Sequence, residues 1–229
     1  MLYEICAITD IGCVRPKNED GYFAGSNYAY GIGHISSYEK KGSPFIALLM
    51  DGVGGCEHGE AAVEQGVEYI KTVDVPITKT DLEIVLDDLN KQLYYTANTI
   101  DTATTIAGIM ISDEKIVFNV GDSKVFSINQ GYLEQLSVDD TISGISGEFT
   151  DIGSEPLLQY MGKKCIAPHY VDCKKNTAWL MCTDGLTNMV EEKEIYRVVK
   201  ENPEIAPKVL VDLANNAGGY DNITVVTIK

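Results

Sequence analysis

At 229 residues the chain fits one domain with a sizeable core, and 45% hydrophobic with 23% charged residues are ordinary globular values. Its net charge of −16 argues against nucleic acid as a partner and against electrostatic attachment to anionic membranes, because both need basic surface. The six cysteines form no Cys-x-x-Cys pair, the N-terminal residues do not resemble a signal peptide, and no apolar run approaches the roughly 20 residues of a membrane span. A soluble, cytoplasmic protein with reduced thiols is expected.

In chain order, Leu2 to Thr9 reads as a first strand. A polar loop then runs from Val14 through Arg15-Pro16-Lys17-Asn18-Glu19-Asp20 and returns to an apolar edge at Tyr22-Phe23. Residues 25–44, with several glycines, serines and tyrosines, read as a loop or hairpin excursion. Phe45 to Met50 is an apolar run that ends abruptly in Asp51, with glycines at 52, 54 and 55. A helix is expected over Glu57–Thr72, with Ala62, Val63, Val67 and Ile70 on one stripe. A second starts at Thr80, with Thr80 and Glu83 as its capping box and Leu82, Val85, Leu86, Leu89, Leu93, Ala97 and Ile100 on one stripe.

The period then shortens. Thr104–Ile111, Lys115–Val120 and Lys124–Ile128 read as strands joined by links too short for anything but antiparallel neighbours, hence a meander. Residues 137–160 carry little pattern and read as a loop or flexible cover. Trp179 to Thr183 is another strand, running into Asp184-Gly185. Helices are expected over Glu191–Lys200 and Ala206–Asn216, and Tyr220-Asp221-Asn222 stands directly before the last strand, Ile223–Ile228. Antiparallel strands with helices in separate blocks indicate the α+β class, and no repeat or linker divides residues 1–229.

Asp51, Asp184 and Asp221 therefore each stand at the end of a buried strand. A single Asp-Gly is usually a turn. Three carboxylates that converge repel one another unless a cation lies between them, and carboxylates with carbonyls favour Mg2+ or Mn2+. The three histidines lack zinc-ligand spacing. Spacing alone does not bring the aspartates together. Arg15, beside Glu19 and Asp20, is either a surface ion pair or, next to such a cluster, a fork for phosphate. A nucleotide loop at Gly52–Gly59 fails, because Glu57 breaks the G-x-G-x-x-G pattern and acids flank the turn. No C-x5-R phosphate loop occurs.

Arg15-Pro16-Lys17-Asn18-Glu19-Asp20 resembles the R-x-x-N-x-D element of the metal-dependent type 2C (PPM) serine/threonine phosphatases. Asp51-Gly52-Val53-Gly54-Gly55 with Gly59-Glu60-Ala61 resembles their D-G-x-G-G…G-E-x-A element, in the form of the compact bacterial members. Thr104-Thr105 is similar to the G-T-T strand, with Ala103 for its glycine, and Gly121-Asp122-Ser123-Lys124 to the G-D-S-R hairpin. Asp184-Gly185-Leu186 and Asp221-Asn222-Ile223-Thr224 resemble the last two elements, and all six stand in family order.

The resemblance implies an αββα sandwich, two antiparallel sheets with helices on both outer faces. It implies that Asp51 bridges two Mn2+ or Mg2+ ions, with the Gly52 carbonyl on one, Asp184 and Asp221 completing the first site, and Glu19 and Asp20 acting at the second, directly or through water. Asp122 with Asp184 would form a looser third site, and Arg15 would grip the substrate phosphate. The implied reaction is attack of a metal-bridging water on phosphoserine or phosphothreonine, without a covalent intermediate. Phosphoprotein substrates, an opposing serine/threonine kinase and a monomeric state are expected. Val53 stands where many relatives carry a histidine, His58 reads as a helix-start residue, and the 140–160 segment resembles a shortened flap. The rival expectation is a catalytically weak member that serves as a binding module.

Overall fold

The computed structural model describes residues 1–147, 155–173, 175 and 178–229. In chain order the elements are β1 (Leu2–Asp10), β2 (Asp20–Ala24), β3 (Asn27–Tyr30), β4 (His34–Gly42), β5 (Phe45–Asp51), α1 (Gly59–Thr72) and α2 (Lys79–Ala97). They continue as β6 (Ile106–Ile111), β7 (Lys115–Val120), β8 (Lys124–Ile128), β9 (Leu133–Gln135), α3 (Ile142–Ser146), β10 (His169–Asp172) and β11 (Trp179–Cys182). The chain closes with α4 (Asp184–Thr187), α5 (Glu192–Glu201), α6 (Ala206–Asn216) and β12 (Ile223–Ile228).

The strands form two six-stranded antiparallel sheets, ordered β4-β1-β12-β11-β8-β9 and β10-β7-β6-β5-β2-β3. Strand alternation decides what each face buries. On β5, Phe45, Ala47 and Leu49 face the space between the sheets, and Ile46, Leu48 and Met50 face α1 and α2. On β11, Trp179 and Met181 point between the sheets, while Leu180 and Cys182 meet α5 and α6. Three apolar layers therefore separate four structural layers, α1–α2, sheet, sheet, α5–α6. The near-continuous apolar runs of β5, β6 and β12 follow from burial on both faces, each large side chain contributing roughly 1.5–3 kcal/mol. The α+β sandwich expected from the sequence is the observed fold.

Three local expectations need correction. Residues 25–44 are mostly strand, since β3 edges one sheet and β4 edges the other. The alternating exposure of β4, with Ser, Glu and Lys side chains, hides it from a search for apolar runs. The three strands after residue 104 are not one meander, because β7 pairs with β6 and β10, and β8 pairs with β11 and β9. Gly121-Asp122-Ser123 is thus a corner that carries the chain from one sheet to the other. Finally, α2 is capped two residues earlier than expected, by a reciprocal box in which Thr78 accepts from the Asp81 N–H and Asp81 from the Thr78 N–H, and it ends at Ala97, so that Ile100 lies beyond the helix and exposed.

Candidate metal centre

The antiparallel pairing brings β5, β7 and β11 to one end of the sandwich as they finish, and β2, β8 and β12 as they begin. Asp20 lies directly across from Asp51 in the β2–β5 ladder. A cavity of about 560 Å3 opens there, lined among others by Arg15, Glu19, Asp51, Gly52, Asp122, Asp184 and Asp221. Every one of the eight residues singled out from the sequence lines this cavity except Asp20, which lies beneath it, 1% exposed.

The segments that carry the carboxylates are held by motif neighbours. The Asp51 carbonyl accepts from the Thr105 N–H (2.8 Å) and the Thr104 hydroxyl (2.9 Å). Thr105 Oγ1 meets Ser123 Oγ at 2.8 Å, tying the corner that carries Asp122 to β6. Gly52 and Gly59 pack backbone to backbone, and a Cβ on Gly59 would sit 3.0 Å from Gly52 Cα. That close approach explains the paired glycines. Asp184 opens the short α4 and accepts from Asn188 Nδ2 at 3.0 Å.

Asp20 is the most tightly held. Its Oδ2 accepts from the hydroxyls of Thr183 (2.9 Å) and Thr224 (2.8 Å), both from the other sheet. Thr224 Oγ1 lies 2.8 Å from Thr9 Oγ1, which accepts from Asn18 Nδ2. With the Thr224 proton committed to an ionised Asp20, Thr9 donates to Thr224, and the chain of donors points toward the carboxylate. Asp20 Oδ1 is buried with no hydrogen-bond partner among the described residues. The loop that carries Arg15 is laced to the 219–222 turn, since Asn222 Nδ2 donates to the Ile11 and Lys17 carbonyls and Asn222 Oδ1 accepts from the Glu19 N–H. Gly12 (φ +77°) lies where a Cβ would fall 2.2 Å from the Asp221 carbonyl oxygen. The sequence motifs name Asn18, Asn222, Thr183 and Thr224, but their role as buttresses appears only in three dimensions.

Electrostatics mark the cluster as uncompensated. Burial first, then the surrounding aspartates, pushes Asp20 up to about 7 despite its two hydroxyl donors. The same causes push Asp122 to about 6, against the pull of Lys124, and raise Asp51 well above the carboxylate range. Asp184 is raised by burial and then by Asp221, and Glu19 by burial and then by Glu60. Charge repulsion of this kind is relieved by protons or by cations.

A hard divalent cation fits this donor set. No histidine or cysteine is among the described lining residues, and the orphaned Asp20 oxygen is a buried acceptor without a donor. Among the described residues, no three such side chains close around one point as they stand. Asp221 is instead drawn to Arg15, whose guanidinium nitrogen lies 2.6 Å from its Oδ2. Arg15 is therefore an ion pair, but one inside the cavity and with Asp221, not with the neighbouring Glu19 or Asp20. Val53 lines the cavity without a proton to give, and His58 is the N-cap residue of α1, outside the lining. The described parts of 140–160 form one side of the cavity through Thr141, Ser143, Glu155, Pro156 and Leu157, and residues 148–154 lie outside the described residues.

Two antiparallel sheets between helical layers are the fold this chain shares with solved serine/threonine phosphatases, one of them of the PPM type. The resemblance read from the six motifs extends over the whole chain. It is 28% identical over 248 aligned residues, spanning 96% of this chain and 93% of its relative, to the serine/threonine phosphatase stp of Listeria welshimeri. It superposes on the S. agalactiae serine/threonine phosphatase with a TM-score of 0.80 at 25% identity, covering 99% and 98% of the two chains. The catalytic domain of the phosphatase PstP, solved with two manganese ions, shares the fold at a TM-score of 0.81 and 21% identity, covering 100% and 99%. No family model matches the chain.

Proposed function

We propose that the chain is a Mn2+- or Mg2+-dependent protein phosphatase acting on phosphoserine and phosphothreonine. One observation carries this reading: Glu19, Asp51, Asp122, Asp184 and Asp221, from five separate segments, meet at a cavity that also holds Arg15. Bound divalent cations would supply the charge that offsets this repulsion, neutralises phosphate and acidifies water for attack.

The chain's own residues do the rest. Asp51, between the sheets, would serve two ions, with the Gly52 carbonyl beside it. Asp184 and Asp221 would complete one site, Glu19 and the free Oδ1 of Asp20 would serve the other, and Asp122 would share a looser third with Asp184. A cation beside Asp221 would free the Arg15 guanidinium, whose planar fork of donors matches phosphate oxygens. The buttressing threonines fix Asp20 before any ion arrives, so little reorganisation is left for the reaction. Val53 leaves leaving-group protonation to water or another cavity donor.

The substrate class rests on the names of the bacterial relatives, which are serine/threonine phosphatases. The protein works on phosphoproteins made by a serine/threonine kinase, in the cytoplasm and as a monomer. No helix among the described residues is long and apolar enough to cross a membrane. The deciding experiment is phosphate release from a phosphothreonine peptide and an aryl phosphate with Mn2+, with Mg2+ and with EDTA. Metal-dependent turnover that collapses in Asp51→Asn and Asp184→Asn is expected. A folded, Mn2+-binding protein without turnover on either substrate would make it a binding module.

A further inference from the structure

Asp140, which the proposed chemistry does not use, is 0% exposed and among the most fully engaged carboxylates in the molecule. Its Oδ2 accepts from the Gly121 N–H at 2.8 Å, and its own N–H donates to the Gly121 carbonyl at 3.0 Å. Gly121 is thus clamped at both polar atoms, one residue before Asp122. On its other side a Cβ would fall 2.7 Å from Thr105 Cβ, and its φ of +105° suits only glycine. The corner between the sheets has no room to drift.

The far oxygen of Asp140 sets what the clamp is anchored to. Oδ1 accepts from Gln159 Nε2 at 2.9 Å and meets His169 Nε2 at 2.8 Å, on β10. Gln159 is fixed in turn, because its Oε1 accepts from the Ala167 N–H at 2.8 Å. The Asp140 carbonyl accepts from the Leu158 N–H at 2.7 Å. Beside it, Asn119 on β7 joins the Gly121 and Val138 carbonyls. One carboxylate therefore links the Asp122 corner, the described base of the 155–160 segment and the edge strand β10.

We propose that Asp140 and His169 are positioning residues that hold the Asp122 carboxylate against Asp184 for divalent-cation binding. This rests on the metal-dependent reading above and adds to it residues that touch neither ion nor phosphate. The chemistry of the anchor makes the roles separable. In Asp140→Asn the amide can still accept from Gly121, but its NH2 then faces the Gln159 NH2, donor against donor. Turning Gln159 over would forfeit the Ala167 bond. In His169→Leu the anchor loses one donor, and in His169→Gln an amide of similar reach restores it.

The test is equilibrium binding of Mn2+ to the full-length apoprotein, with free Mn2+ counted by its paramagnetic resonance signal, beside aryl phosphate turnover. Asp122→Asn defines the binding step that needs Asp122. On that step Asp140→Asn should weaken Mn2+ about tenfold, the lower range for groups that orient a ligand from outside. His169→Leu should weaken it severalfold, and His169→Gln should bind as the unchanged protein does. In the Asp122→Asn background, Asp140→Asn should add nothing. Unchanged Mn2+ binding in Asp140→Asn and His169→Leu, a loss that persists without Asp122, or an isotherm indifferent to Asp122→Asn would overturn the proposal. Should Asp140→Asn fail to fold, the Leu and Gln variants at 169 decide alone. A parent protein that binds Mn2+ and turns over substrate while its variants bind equally well removes only this inference. A parent that does neither removes the phosphatase reading as well.

Discussion

The floor of the cavity and its side are built in opposite ways. The floor consists of strand ends, with Asp20 and Asp51 facing each other across a ladder and Thr183 and Thr224 reaching from the second sheet. The side consists of the described parts of 139–157, where none of the residues of α3 is buried. The floor is rigid because each position is fixed by two sheets and two apolar layers. The side is attached through polar contacts of Asp139, Asp140 and Asn119, so its apolar side chains can change with little cost to the fold. Chemistry that needs carboxylates placed to fractions of an ångström belongs on the floor, and recognition that must be tuned belongs on the side.

The most severe break of the floor is chemical. Asp51→Asn and Asp184→Asn should each lower aryl phosphate turnover about a thousandfold, the upper range for losing one preorganised electrostatic partner. Their metal-free melting temperatures should not fall, because each change removes a repulsive charge. A melting temperature that drops with activity would mean that the cluster serves the fold instead.

The pH dependence of the metal-free protein follows from the same repulsion. Asp20 and Asp122 are raised from 3.8 to about 7 and about 6, so the folded state holds protons that the unfolded chain has released. Stability should therefore fall as pH rises from about 4 to about 7, and Mn2+ should reverse the fall. Urea unfolding at several pH values, with and without Mn2+, measures both signs.

Gly59→Ala tests whether the floor tolerates any gap. Its Cβ would press on the Gly52 backbone, and a loss of about 2–3 kcal/mol in urea unfolding is expected. Thr224→Val keeps the shape and removes one donor to Asp20, for about 1–3 kcal/mol by the same measurement. On the side of the cavity, Ile145 is 59% exposed, and Ile145→Ser should change stability by less than about 0.5 kcal/mol and leave aryl phosphate turnover intact. A large loss there would show that the side belongs to the same rigid unit as the floor.

Legibility in the sequence follows the same division. Apolar runs buried on both faces mark β5, β6, β7 and β12 within a residue or two, because burial leaves no polar positions to confuse the pattern. The half-exposed β4 and the short β10 carry no such run, and His169 looked like an unplaced histidine. The Gly121 corner read as a hairpin, because three residues of turn look alike whether the next strand joins the same sheet or the opposite one.

Periodicity and motif order, which are local properties of the chain, marked the α+β class, the helices with apolar stripes and the list of carboxylates, while the layers were implied by the family resemblance. Tertiary structure alone decided that those carboxylates share one cavity, that Asp20 lies beneath it, that Arg15 pairs with Asp221, and that Asp140 grips the corner beside Asp122. Each of these joins residues from separate segments, Arg15 and Asp221 being 206 positions apart. Only the packing of two sheets against each other fixes which distant side chains must share low-dielectric space and so perturb, pair with or orient one another.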